Sequence, residues 1–146
     1  MNPEEATAST RPAAKAEEVI FTLDRANRAL VLIRKVVADI VTQYNHLLEL
    51  RTRRQETAVE IGAAPRAVRL QEDIEHAIER LNRLHDELTG IGCVLKDWAA
   101  GLVDFPALYQ GRRICLCWRL GEPAVTYWHE LNTGFAGRQP VGPDFA

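Results

Sequence analysis

The side chains that could do chemistry crowd into one stretch, Gly111 to Glu130. It reads GRRICLCWRLGEPAVTYWHE and holds two thiols, an imidazole, two carboxylates and three guanidiniums. Along its first half the residues alternate, so Ile114, Leu116 and Trp118 share one face of a β-strand while Cys115, Cys117 and Arg119 share the other. Thiols two apart on a strand point the same way. Sulfur with imidazole suits zinc or iron, and Cys115, Cys117 and His129 are the ligands if a metal is held. Against this, C-x-C is not the C-x-x-C of common zinc knuckles, and a fourth ligand would have to come from Cys93 or His85. Buried cysteines also serve as small hydrophobes, a use that needs no ligand, and the reading adopted is one without metal or cofactor.

Whether His129 joins the thiols depends on register. The second run, Val125 to Glu130, also alternates, and Leu120-Gly121-Glu122-Pro123 makes the turn between. A two-residue loop would ask Pro123 for a ladder N–H that it lacks, so a four-residue loop closed by Arg119 and Ala124 is predicted. That register sets Trp118 opposite Val125, Leu116 opposite Tyr127 and Cys115 opposite Trp128, and sends His129 to the other face beside Ile114. The candidate surface for a ligand or partner is then Cys115, Cys117, Arg119 and Trp128, with Arg138 reaching over from the tail. Glu122, His129 and Glu130 are its weaker members.

Catalysis has less support. A nucleophilic thiol needs a neighbour that lowers its pKa, and only Arg119 is placed for that. Acid–base work by His129 with Glu130 or Glu122 meets the objection that adjacent strand residues point apart. His129-Glu130 does not open the helical H-E-x-x-H zinc motif, because position 133 is Thr133. Arg119 with Glu122 across the turn reads as a surface ion pair, worth under about 1 kcal/mol. Trp98, Trp118, Trp128, Tyr109 and Tyr127 all fall in the final third, and Trp, Tyr and Arg dominate interaction hot spots. With Trp118 and Tyr127 in the core, Trp128 lies on an open face. The tail from Phe135 to Pro140 is expected to cover it, Arg138 stacking on a tryptophan, with help from a second subunit.

Two helices must carry this sheet. Thr22 is placed as an N-cap with Asp24 in the first turn. Leu23, Ala26, Leu30, Ile33, Val37, Ile40, Tyr44 and Leu47 then recur alternately three and four apart, the seam of a helix packed on another. Leu32, Val36, Val41 and Leu48 lie off the seam, which predicts cover on two sides. Gly62-Ala63-Ala64-Pro65 turns the chain back, Leu70, Ile74, Ala77, Leu81, Leu84 and Leu88 form the second seam, and Gly90-Ile91-Gly92 stops it. Cys93 to Asp97 reads as a strand, Trp98 to Gly101 as a loop, Leu102 to Phe105 as a strand ended by Pro106, and Ala107 to Gln110 as a connecting turn. Asn132 to Pro140 is too rich in Gly and Pro for regular structure.

The fold class is therefore α+β: a long antiparallel helical hairpin packed on a small, about four-stranded, antiparallel sheet. Residues 1–16 read as a disordered leader and 17–141 as a single domain. The hairpin spans 22–90, the β-rich region 93–130 and a Gly/Pro-rich tail 131–146. At 146 residues, 47% hydrophobic and 26% charged, the chain has enough for one core. A net charge of -2 exerts no pull toward nucleic acid or anionic membrane. The basic run Arg51, Arg53, Arg54 with Arg66 and Arg69 is diluted by Glu49, Glu56, Glu60 and Glu72, which disfavours nucleic acid. Three cysteines cannot make a disulfide framework, no secretory signal is evident, and no run nears the roughly 20 apolar residues that cross a bilayer. The expected setting is a reduced cytoplasm.

The segments FTLDRANRAL from Phe21, VLKD, GLVDFPALYQGR, CLCWRLGE and YWHELNTGFAGRQPV resemble an uncharacterised bacterial family, domain of unknown function 2203, from about Val19 to Val141. The resemblance implies a cytosolic bacterial protein without an established reaction, and so supplies no catalytic residues. Relatives often carry a proline early in the first helix where this chain has Val31, which bears on a kink there. The expected function is a non-catalytic cytosolic binding or interaction protein, homodimeric through its long helices and open to a further protein partner. The alternative is a metal-binding protein or enzyme using the Cys115, Cys117, Trp128 face with His129 nearby.

Overall fold

The structure, a computed structural model, describes residues 18–145; the leader expected at 1–16 lies outside the described residues. Thr22 caps the first helix as its sequence position predicts, its Oγ1 accepting the Arg25 backbone N–H at 3.1 Å. Helix α1 then runs unbroken through Val31 from Leu23 to Thr57, 35 residues and roughly 53 Å. Helix α2, Ala64–Ile91, opens with Pro65 in its first turn and closes on Gly92 at φ 108°. Its 28 residues span roughly 42 Å, so α1 overhangs.

The predicted seams meet. Ala26, Leu30, Ile33, Val37, Ile40, Tyr44 and Leu47 of α1 are buried, as are Leu70, Ile74, Ala77, Leu81 and Leu88 of α2. Cover on a second side is only partial. Val36 is buried, but Leu32 and Leu48 stay 55% and 41% exposed, Leu32 although Asn27 and Arg34 on either side of it bond to the segment before β4.

Five antiparallel strands follow in spatial order: β1 (Val94–Asp97), β2 (Leu102–Tyr109), β3 (Arg112–Arg119), β4 (Tyr127–Glu130) and β5 (Gln139–Pro140). Two boundaries differ from those expected. Pro106 does not end β2. Its carbonyl accepts the Phe21 N–H at 2.6 Å, on the edge beyond the reach of β1. The N and C=O of one strand residue point the same way, so its missing donor faces that edge and the β2–β3 ladder is untouched. In the tail, β5 pairs with β4 despite its Gly/Pro content, because Val141 N–H reaches the Thr126 carbonyl at 2.9 Å and holds the segment alongside.

The β3–β4 register is shifted by one residue from the predicted one: Leu116 faces Trp128, Cys117 faces Tyr127 and Cys115 faces His129. The connection is longer than four residues. Val125 pairs with α1 instead of β3, its N–H donating to Asn27 Oδ1 at 2.7 Å and its carbonyl accepting from Asn27 Nδ2 at 3.2 Å. Every side chain of β4 therefore turns over. Trp128 joins Val103, Phe105, Ala107, Ile114, Leu116 and Trp118 on the inner face, in the core shared with the helices, while Tyr127 and His129 turn outward. Trp98 lies in the expected loop and is buried against His85 and Tyr44, with ring centroids 5.1 and 6.3 Å away.

Candidate functional site

Adjacent strands place one reactive group each on the outer face of the sheet. Asp104 of β2 stands opposite Cys117 of β3, and His129 of β4 stands opposite Cys115. Asp104, Cys117 and His129 are 5%, 0% and 2% exposed, and a ligand atom from each lies within 4.8 Å of the other two. His129 Nδ1 is 2.7 Å from the Glu130 carbonyl and Nε2 is 3.0 Å from Asp104 Oδ1. A carbonyl can only accept, so Nδ1 carries a proton. That leaves Nε2 facing the Asp104 carboxylate.

The thiols beside this pair are held neutral. Burial, reinforced by the nearby Asp104, pushes Cys117 up to about 12 and Cys115 up to about 11. Cys93, away from the site with its Sγ 3.5 Å from the Leu88 carbonyl, is pushed by burial to about 12. Raised thiols of this kind do not supply the thiolate that nucleophilic catalysis needs.

A lid closes over the site. Arg138 makes a bidentate pair with Glu122, at 2.9 Å to Oε1 and 2.7 Å to Oε2, and its guanidinium lies 4.0 Å from the Tyr127 ring centre and 4.3 Å from that of Phe135. Burial raises the Glu122 pKa, but Arg138's hydrogen bond and charge, with the Arg119 backbone N–H at 2.8 Å, outweigh it and leave it lowered. The tail thus covers the outer face as expected, with a tyrosine and a phenylalanine in place of the expected tryptophan because Trp128 points inward.

Of the residues singled out by sequence, Cys115, Cys117, His129, Arg138 and Glu122 come together. Trp128 and Glu130 do not. Both lie on the inner-face side, where Arg112 pairs with Glu130 and stands 5.8 Å from the Trp128 ring centre. The Arg119 guanidinium stays at the rim, 5.9 Å from the Phe135 ring centre; the ion pair of Glu122 is with Arg138, and Arg119 reaches that carboxylate through its backbone N–H. The metal-type cluster is also not the predicted one, since Asp104 stands with Cys117 and His129 where Cys115 was expected. Asp104 was the residue overlooked. An acid within the apolar run Leu102-Val103-Asp104-Phe105 of a strand is the signal that could have found it.

The chain belongs to the family described as an uncharacterized conserved protein, DUF2203, whose profile matches residues 19–141. Comparisons with curated proteins and with solved structures return no match.

Proposed function

We propose that this member of the DUF2203 family is a non-catalytic cytoplasmic interaction protein that pairs with a second copy of itself through the helical hairpin. The carrying observation is the set of large apolar side chains that reach solvent on the hairpin and its turn, Val31, Leu32, Leu48, Val59, Ile61 and Val68, against Val94, Leu108, Leu131 and Phe135 on the sheet and tail. Charge supports a second copy as the occupant. Between residues 43 and 83 basic and acidic side chains are equal in number and interspersed, which suits a like surface laid antiparallel against it and gives a polyanion no net attraction. The neutral, lidded thiols weigh against an enzyme, and three free cysteines fit a reducing compartment. Among the described residues no helix is long and apolar enough to cross a membrane.

Sedimentation velocity tests this reading on the wild-type chain and on Leu48→Glu with Val68→Glu, positions exposed enough to leave the fold intact. The expected outcome is a wild-type dimer that the paired substitution converts to a folded monomer. A wild-type monomer, or a dimer indifferent to the substitutions, contradicts it.

A further inference from the structure

We propose that Asp104, Cys117 and His129 form a binding site for one divalent metal ion of the zinc type. This does not depend on pairing of the hairpins. The donors are a carboxylate oxygen, a sulfur and an imidazole nitrogen, a mixed set that suits a borderline-soft ion. They come from three neighbouring strands, so the sheet fixes their spacing before any ion arrives. Zinc bonds of about 2.0–2.3 Å place ligand atoms roughly 3–4 Å apart. The 3.0 Å between Nε2 and Oδ1 and the 4.8 Å ceiling for all three are close to that.

The surroundings match what a metal-bound histidine requires. Nδ1–H is committed to the Glu130 carbonyl, which fixes the tautomer and aims the Nε2 lone pair at the cluster. Nε2 and Asp104 Oδ1, 3.0 Å apart, are placed to share one ion. Charge balances as well, since one carboxylate and one thiolate neutralise a divalent ion, while Arg138 beside Cys117 is neutralised by Glu122. Binding forms metal–sulfur, metal–nitrogen and metal–oxygen bonds and releases to solvent the Cys117 thiol proton and any proton held between His129 and Asp104.

The test is titration of the chelator-treated full chain with cobalt(II). One equivalent is expected to give a thiolate-to-cobalt charge-transfer band that zinc removes. Cys117→Ser is expected to abolish the band and weaken binding by more than the about 10- to 100-fold typical of losing an outer-shell partner, while Cys115→Ser keeps both. Zinc is also expected to raise the urea midpoint of the wild-type chain, a readout that needs no variant. A folded wild-type chain that gives no band, a band that survives Cys117→Ser, a band lost with Cys115→Ser, or an unchanged midpoint would each overturn the proposal.

Discussion

His129 and Asp104 are each other's answer to burial: a carboxylate at 5% exposure and an imidazole at 2%, joined at 3.0 Å. Removing one partner strands the other, so His129→Leu should cost about 3–5 kcal/mol in urea unfolding of the metal-free chain. Substituting Asp104 and His129 together by apolar residues should cost less than the single change, which separates an orphaned polar group from lost packing. The thiols beside them should be slow. With Cys115 at about 11, only about one thiol in a thousand is ionised at pH 8. Iodoacetamide should label half-buried Cys115 slowly, and Cys93 and Cys117 only on unfolding. These groups were legible by type in the sequence, but their meeting was not. It turns on Val125, whose backbone is held by Asn27, 98 residues away, and no local pattern reports that.

At the level of elements, what was legible was local: the Thr22 cap, the two seams and the Gly92 stop follow from spacing within a few turns of helix. Pro106 inside β2 and the short β5 were decided by distant partners, Phe21 and Thr126, and so escaped. The Arg138–Glu122 latch makes its own prediction. Charge-assisted hydrogen bonds contribute about 1.5–3 kcal/mol each way of counting, so Arg138→Ala should raise local opening, read as Cys117 alkylation or exchange of β4 amides, about 10- to 100-fold. Because the folded Glu122 pKa lies below its ordinary value, the latch is at full strength above about 4.3. It is lost as pH falls through the depressed value, so opening should rise only below the ordinary glutamate range. The turn between β1 and β2 is equally specific. Gly101 has φ 73°, and an added β-carbon would sit 2.8 Å from Leu120 Cβ and 3.0 Å from Val37 Cγ1. Gly101→Ala should lower stability by about 1–3 kcal/mol in thermal or urea unfolding, without loss of helix.

Over the whole molecule, a five-stranded sheet covers one part of a longer helical hairpin, and the tail seals the sheet's other side. The division sets reactive groups inside, under a latch, and most of the exposed large apolar side chains on the hairpin and its turn. The function proposed from this arrangement is pairing of two copies through the hairpin. Native mass spectrometry of the full chain, from low to tens of micromolar, tests this most directly. A species of twice 16.4 kDa at the higher concentrations is the predicted result, and a single-chain mass at every concentration would contradict it.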